Sequence, residues 1–422
     1  MTLDLDYDRW NMERFEYSDK CFSVNSSAPA DGVHSFRISA EGPTLDFLAK
    51  GFRDEDRKSR AFLVVFSGAV SEQARDTASA PFFSGIGLAG TTRLPLLSVS
   101  DPTLALNRDL TLAWYAGNSS TPDLLDIVAR NIDQVATATG LLPVLVGGSG
   151  GGFAALNIIA RLQSQATAVV WNPQTSIGAY YAAAGHKYLE TAYPELSIPA
   201  DAANSQAQLQ DFLDQNIETG LHRLPQINTI DPRHSIIFLQ NRSDVFHMSK
   251  HAGPWLNNIK FRAIGPNTFQ SPQGNIQLFI GDWGKGHAVP PSVFLRKLVS
   301  RINADTPLTY IGRRYLSQSE YSSAAAFRWL AIRPPTQNDI AIDSRIEGDN
   351  IHLALNISAE LGAVSDFEYA CYLYSGAQRV AQQWYRPNPH ATFKAVQTKE
   401  ALTAKLYLRD QLGTVKAITK AL

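Results

Sequence analysis

Ser149 lies in a run of glycines suited to nucleophilic chemistry. The segment 143–156, PVLVGGSGGGFAAL, places Gly147 and Gly148 before the serine and Gly150 and Gly151 after it, which satisfies the pattern G-x-S-x-G. A serine can be presented on a sharp turn between a strand and a helix only if neighbouring side chains do not collide with either element. The pattern therefore predicts a nucleophile at Ser149.

Such a serine needs a histidine as its base, and the histidine needs an acid to orient it. When the serine sits on a strand-turn-helix unit, the chain order is serine, acid, histidine, each after a sheet strand. Asp244 follows the apolar run in SIIFLQNRSDVFH (235–247), and His287 lies in the glycine-rich loop of IQLFIGDWGKGHAVPP (276–291). The order predicts Asp244 as the acid and His287 as the base.

Other residues compete for these roles. His247 and His251 follow Asp244 closely and are predicted on the next helix, where an exposed or substrate-contacting role suits them better than that of the base. Asp282 comes directly after a strand, where a turn role is expected. Arg242 and His247 are candidate substrate contacts, although a satisfied surface cluster explains them equally well.

An oxyanion formed during acyl transfer needs backbone N–H donors. One is expected from Gly150, at the positive end of the helix that follows the serine. The second is expected from Gly68 or Ala69, because the strand AFLVVF (61–66) runs into the small residues Ser67-Gly68-Ala69. The glycine-rich segment PFFSGIGLAG (81–90) is predicted to line the acyl or alcohol pocket.

A dinucleotide-binding turn is the main alternative for the glycine run. Gly150, Gly152 and Ala155 fit the looser spacing G-x-G-x-x-A. However, the next strand, AVVWNPQTS, ends in Asn172 and lacks the acidic residue that would hold a ribose. The hydroxyl nucleophile is the better interpretation.

Apolar runs alternate with helical patterns through the middle of the chain, which predicts a mostly parallel sheet covered by helices on both faces. Strands are expected at 61–66, 96–100, 110–115, 143–147, 168–171, 235–241 and 276–281. Helices are expected after Thr121, from about 153 to 162, after residue 241 and from 293 to 302. The fold class that this alternation predicts is α/β.

Three further regions flank or interrupt this pattern. Residues 1–60 are expected to supply edge strands or a small cover, and residues from about 175 to 230 a helical cap inserted into a catalytic domain at 61–310. Residues 320–422 contain short alternating runs, which predict a small antiparallel β-sandwich. Its aromatic residues, among them Tyr372 and Trp384, either form its core or stack on sugar rings.

The bulk composition excludes several classes of function. Among 422 residues, 38 basic side chains nearly cancel 39 acidic ones, so no nucleic-acid partner is expected. No segment has the length of a membrane span, and the amino terminus lacks a secretory signal, which predicts a cytoplasmic protein. The two cysteines and the histidines show no metal-ligand spacing, so neither a metal nor another cofactor is expected.

The glycine-flanked serine, the late acid and the GKGH loop together resemble the α/β-hydrolase superfamily over roughly residues 30–305. The segment FSGAV, followed by SDPTLALNRDLTLAWYAG and the appended β domain, resembles bacterial hydrolase-like proteins of cell-surface polysaccharide and glycoprotein maturation. These include carbohydrate O-acetyltransferases of accessory secretion systems. The resemblance carries over to Ser149, Asp244 and His287 only, since the HGGG oxyanion loop of lipases is lacking here.

These observations favour a serine esterase that cleaves a small-molecule or carbohydrate ester through an acyl-enzyme. Two alternatives stay open. In the first alternative, the protein transfers the acyl group to a sugar hydroxyl in place of water. In the second, it is a non-enzymatic scaffold with this fold in a surface-glycan or secretion complex. The sequence does not distinguish hydrolysis from transfer, because the two differ only in the acceptor.

Overall fold

The computed structural model describes residues 5–23, 27–40, 42–54, 56, 58–323, 327–333, 335–336, 338–395 and 400–422. The described residues form two compact units. One lies within Met1–Trp255 and Ala263–Ala324, and the other within Leu256–Arg262 and Ala325–Leu422.

Eleven strands form the large sheet in the order β1-β2-β3-β5-β4-β6-β7-β8-β11-β10-β9. Its strands are β1 (Arg14–Tyr17), β2 (Gly32–Phe36), β3 (Leu45–Lys50), β4 (Ala61–Phe66), β5 (Leu96–Val99), β6 (Leu142–Gly148), β7 (Thr167–Trp171), β8 (Ser235–Asn241), β9 (Arg262–Gly265), β10 (Thr268–Gln270) and β11 (Ile276–Gly281). The central strands β5, β4, β6, β7, β8 and β11 are parallel to their neighbours within this group.

Helices connect these strands and flank the sheet. They are α1 (Glu72–Thr77), α2 (Ile86–Thr92), α3 (Leu124–Thr139), α4 (Ser149–Ile159), α5 (Ala182–Ala192), α6 (Gln206–Asn216), α7 (Thr219–His222), α8 (Val245–His247), α9 (Gly253–Leu256), α10 (Ser292–Asn303) and α11 (Leu308–Tyr310). Helices α5, α6 and α7 all fall between β7 and β8. None of the helices in the described ranges combines the length and the apolarity that a membrane crossing requires.

The central strands are buried along nearly their whole length, with only a terminal residue of β6, β7 and β8 partly exposed, as expected for parallel strands covered on both faces. Every residue of β4 is buried, and Val65 of that strand packs in one apolar cluster with Val146 of β6 and Leu295 of α10. Because parallel strands end at the same edge of a sheet, the loops after β4, β6, β7, β8 and β11 meet there. That edge carries Ser149, Asp244 and His287, the three residues predicted to perform the chemistry.

Residues 110–115 do not form the strand that the sequence predicts. Trp114 and Tyr115 have φ angles of 56° and 57°, in the left-handed region, and the Tyr115 N–H donates to the Asp101 carboxylate at 2.6 Å. The alternating apolar pattern arises because the segment is a buried loop: Trp114 is fully buried and Leu112 nearly so. A second difference is that α4 begins at Ser149 itself, four residues earlier than expected.

The second unit contains two antiparallel sheets, ordered β12-β13-β16 and β15-β14-β17-β18. These strands are β12 (Ile340–Glu347), β13 (Asn350–Ile357), β14 (Glu368–Ser375), β15 (Gln378–Arg386), β16 (His390–Lys394), β17 (Leu402–Arg409) and β18 (Val415–Ala421). One apolar cluster, with Leu353 from the first sheet and Leu373 from the second, joins them. The fold class, a mostly parallel sheet with a small β-sandwich, is thus confirmed. Trp384 on the sandwich is 63% exposed and stacks on Tyr372.

Candidate active site

Ser149 occupies a sharp bend between β6 and α4. Its φ angle is 54°, in the left-handed region that a residue with a side chain rarely adopts. The bend leaves no space for side chains nearby: a Cβ on Gly147 would lie 2.3 Å from the Gly151 carbonyl oxygen, and one on Gly151 would lie 2.4 Å from that of Phe66. Both collisions are with backbone, which explains why glycines surround the serine.

His287 and Asp244 are in direct contact. The Nδ1 atom of His287 lies 2.6 Å from Oδ2 of Asp244, a short hydrogen bond between an imidazole and a buried carboxylate. Asp244 is only 4% exposed, whereas the His287 side chain is 41% exposed. A carboxylate accepts only, so Nδ1 carries the proton and Nε2 of His287 is left as the basic nitrogen.

A second histidine shares the same carboxylate. Nδ1 of His247 lies 3.0 Å from Oδ1 of Asp244, and the backbone N–H of His247 donates to that oxygen at 3.2 Å. The imidazole of His247 also stacks on that of His287, with ring centroids 4.0 Å apart and planes inclined by 22°. The sequence predicts an exposed or a substrate-contacting role for His247 and His251; the exposed role is wrong, since they are 3% and 0% exposed.

Burial and hydrogen bonding oppose each other in setting the charges of this cluster. Burial raises the pKa of Asp244, but the hydrogen bonds from His247 and His287 outweigh it and hold the pKa of this carboxyl well below its ordinary value. Burial lowers the pKa of His247, and it lowers the pKa of His251 to about 3. At neutral pH the cluster therefore consists of an ionised Asp244 with His247 and His251 neutral beside it.

The Asp244, His247 and His287 side chains also offer ligand atoms within 4.8 Å of one another. The two imidazoles are nearly parallel, however, and each Nδ1 atom is engaged by one oxygen of Asp244. The lone pairs of parallel stacked rings run side by side and do not converge on one ion. The arrangement suits a hydrogen-bonded cluster better than a metal centre.

The hydroxyl of Ser149 is held by a buried amide. Nε2 of Gln174 donates to Oγ of Ser149 at 3.0 Å, and Oε1 of Gln174 accepts from the indole N–H of Trp114. Because an indole N–H can only donate, it fixes which end of the Gln174 amide faces the serine. The backbone N–H of Gln174 donates to the Ser149 carbonyl oxygen at 3.1 Å, so the two residues are tied twice.

The loop after β4 presents free donors beside the serine. The N–H groups of Ser67 and Val70 are used by the Tyr115 hydroxyl at 2.9 Å and the Thr111 carbonyl at 2.8 Å. Within the ranges that the structure describes, no acceptor contacts the N–H groups of Gly68 and Ala69 between them. A Cβ on Gly68 would lie 3.8 Å from Cβ of Ser149, so this loop approaches the serine closely.

Buried amides also fix the loop that carries His287. Nδ2 of Asn241 donates to the carbonyl oxygens of Gly284 and Gly286 at 2.8 and 2.6 Å. Nδ2 of Asn172 donates to the Ala288 carbonyl at 2.9 Å, while its Oδ1 accepts the Asn241 N–H at 2.7 Å. These bonds tie both sides of His287 to the ends of β7 and β8.

Ser149 and His287 line the same cavity, of about 930 Å³. Its wall includes Gly68 and Ala69 of the loop after β4, and Tyr180 from the segment between β7 and β8. The segment 81–90 contributes six residues, as the sequence predicts for a pocket-lining region: Phe82, Phe83, Ser84, Gly85, Gly87 and Leu88.

The remaining candidates lie away from this cavity. Asp282 donates its N–H to the Tyr321 carbonyl oxygen at 2.8 Å, and its carboxylate lies 4.0 Å from Nε of Arg242. Among the described residues, neither Arg242 nor His247 forms part of the cavity wall. His247 touches the acid and the stacked face of His287 instead.

The chain resembles several solved structures at low sequence identity. No family model matches the chain, and no curated protein does. The solved capsule O-acetyltransferase of Neisseria meningitidis serogroup A is 16% identical, with 67% of this chain and 98% of that chain covered and a TM-score of 0.44. An alpha/beta hydrolase from Sphaerobacter thermophilus is 13% identical, with coverages of 63% and 98% and a TM-score of 0.34. An esterase of Pyrococcus furiosus is 14% identical, with coverages of 63% and 88% and a TM-score of 0.36. The strand order and the serine-bearing bend identify the hydrolase-type fold independently of these values.

Sequence reasoning missed Gln174, Asn172 and Asn241. A signal for them exists, because each lies at or just after the carboxyl end of a strand, β7 or β8, where functional residues of such sheets gather. Amides attract less notice than acids and histidines because they do not ionise. Their role here depends on burial, which the sequence alone does not reveal.

Proposed function

We propose that this protein is a serine esterase in which Ser149 is the nucleophile, His287 the general base and Asp244 the acid that orients it. The observation that carries the proposal is the 2.6 Å contact between His287 Nδ1 and Asp244, with His287 on the wall of the cavity that also contains Ser149. A histidine fixed through Nδ1 presents Nε2 as a base, and Ser149 on the wall of the same cavity is the hydroxyl from which it takes a proton.

The first half of the reaction forms an acyl-enzyme. Ser149 Oγ attacks the ester carbonyl carbon while its proton moves to Nε2 of His287. The resulting imidazolium is stabilised by the Asp244 carboxylate. The carbonyl oxygen becomes an oxyanion, and the N–H of Gly150 with that of Gly68 or Ala69 is positioned to receive it. When the tetrahedral intermediate collapses, His287 returns the proton to the leaving alkoxide and the alcohol departs.

The second half reverses these proton transfers. His287 takes a proton from water, the hydroxide oxygen attacks the acyl carbon, and the bond to Oγ of Ser149 breaks as the proton returns to that oxygen. A carboxylic acid leaves and the free enzyme is restored. A sugar hydroxyl in place of water would give acyl transfer through the same steps.

The test combines labelling with turnover. A fluorophosphonate probe should label the full-length protein at Ser149, and Ser149→Ala should abolish labelling and lower ester hydrolysis by several orders of magnitude while the protein stays folded. Ser67→Ala is a matched control, since this serine lines the same cavity but is not on the bend. Equal labelling or hydrolysis in the Ser149→Ala variant would rule out the proposal. Release of product with and without added sugar acceptors separates hydrolysis from transfer.

A further inference from the structure

The wall of the active-site cavity is dominated by apolar side chains. Val65 and Val146 of the sheet, Phe82 and Phe83 of the segment before α2, and Leu88 of α2 all contribute to it. A volume of about 930 Å³ is at the upper end for small-molecule sites and far exceeds what the methyl of an acetyl group would fill. An apolar cavity of this size stabilises an apolar ligand by removing its surface from water.

Two helices, α2 and α10, contribute to the wall of this cavity. Ser292, Val293 and Arg296 of α10 line it, at a spacing that places them on one helix face, and α10 begins five residues after His287. At 1.5 Å per residue, Arg296 lies about 6 Å further along the helix than Ser292. Leu88 and Thr91 of α2 line it as well. The α10 side of the cavity wall therefore runs along the first turn of the helix, from Ser292 to Arg296.

Arg296 is the one formally charged residue of the described wall, which contains no aspartate or glutamate. It is half-buried. Among the described residues none pairs with its guanidinium, and the one side-chain hydrogen bond to Arg296 goes to its backbone: Ser300 Oγ donates to the Arg296 carbonyl oxygen at 2.9 Å. An unpaired guanidinium at the edge of an apolar cavity favours an anionic group on the ligand, preferably a carboxylate bound through two N–H groups.

We infer that the acyl group of the substrate is a medium-length apolar chain that carries a carboxylate at its far end. The ester carbonyl lies at Ser149, the chain lies in the cavity against α2 and α10, and the distal carboxylate pairs with Arg296. This inference rests on the proposed esterase function and specifies its substrate class, which differs from a simple acetyl ester.

The chain-length test compares p-nitrophenyl acetate with p-nitrophenyl octanoate on the full-length protein. Each methylene buried in the transition state contributes up to about fourfold in kcat/KM, so we expect the octanoate to exceed the acetate by at least about tenfold. Leu88→Phe narrows the space between the helices and should reduce this ratio by at least about tenfold. An acetate that reacts as fast as the octanoate would overturn the inference.

The charge test adds the p-nitrophenyl monoester of octanedioic acid, which matches the octanoate in length and carries a terminal carboxylate. The wild type should prefer this monoester over the octanoate. Arg296→Met should reduce the preference by at least about tenfold, and Arg296→Lys should retain part of it. Lys297→Met is the matched control: it removes the same charge from the next position of α10, on a residue outside the described wall of this cavity. If both Met variants change the preference equally, Arg296 does not bind the carboxylate.

A binding measurement separates this inference from the proposed function. Octanedioate should bind the Ser149→Ala protein in calorimetry, and adding Arg296→Met should weaken binding by at least about tenfold. If no ester is hydrolysed but octanedioate binds through Arg296, the esterase proposal fails and the binding site is supported. If acetate is hydrolysed through Ser149 and octanedioate does not bind, the esterase proposal survives and this inference fails.

Discussion

Replacing Asp244 by Asn tests the hydrogen-bond pattern around His287 directly. In the structure, two imidazoles donate to the two oxygens of one carboxylate, at 2.6 Å from His287 and 3.0 Å from His247. An asparagine at this position has a single acceptor oxygen. The backbone N–H of His247, 3.2 Å from Oδ1, can only donate, and so it holds the amide oxygen on its own side.

The amide NH2 of that asparagine then faces His287. Nδ1 of His287 must become the acceptor, so the proton moves to Nε2 and the nitrogen that should receive the Ser149 proton is blocked. We expect kcat/KM for p-nitrophenyl butyrate to fall by on the order of 10⁴-fold, equivalent to about 5.4 kcal/mol of lost transition-state stabilisation. Loss of the charge-assisted hydrogen bonds should also cost about 1.5–3 kcal/mol in the free energy of unfolding.

The assay measures kcat/KM and the rate of fluorophosphonate labelling at pH 7.5, with thermal unfolding to establish that the variant is folded. Asp282→Asn is the matched control, because Asp282 is the nearest rival acid and its carboxylate faces Arg242. It should change kcat/KM by less than about twofold. A folded Asp244→Asn protein with activity within about tenfold of the wild type would refute the assigned role of this acid.

Three further outcomes are expected. Gly151→Ala places a Cβ 2.4 Å from the Phe66 carbonyl oxygen. Denaturant titration should show a loss of about 1–3 kcal/mol in the free energy of unfolding. An unchanged unfolding midpoint would contradict the crowding at the bend. Gln174→Met removes the hydrogen bond to Ser149 Oγ, and kcat/KM should fall by about two- to tenfold; no change would show that this amide does not position the hydroxyl. Burial lowers the pKa of His251 in the folded state to about 3, from 6.5. As the pH falls, the unfolded state therefore binds a proton at this residue before the folded state does. We expect His251 alone to lower the free energy of unfolding by about 2 kcal/mol between pH 8 and pH 5. His251→Gln should remove that share of the pH dependence in urea titrations, and an identical pH dependence in the variant would contradict the assignment.

The parts of the fold that were predictable are those in which local pattern and burial agree. Strands such as Ser235–Asn241 and Ile276–Gly281 coincide with the sequence prediction because their apolar runs are buried on both faces of a sheet. Residues 110–115 carry a similar pattern but form a loop. The segment forms a loop because the buried carboxylate of Asp101 accepts a hydrogen bond from the Tyr115 N–H. The residues of 110–115 give no indication of this distant partner.

The candidate site likewise contains some features that the sequence could predict and others that it could not. Positions that depend on order along the chain, such as Asp244 before His287, could be proposed from the sequence, and the structure places these two side chains in contact. Whether His247 shares Asp244 depends on the direction of its side chain within one helical turn. The spacing in the sequence alone does not determine whether this histidine is exposed or buried.

The shape of the cavity is the feature least accessible to sequence reasoning, because it arises from elements far apart in the chain. Leu88 and Arg296 are separated by about 200 residues, yet both line it. Neither residue is unusual for its helix: Leu88 fits an apolar face and Arg296 a polar one. Only when α2 and α10 are brought together in the fold does Arg296 come to line the same apolar cavity as Ser149. The proposed substrate preference therefore depends on how the two helices pack, whereas the proposed chemistry depends on residues at the ends of the strands.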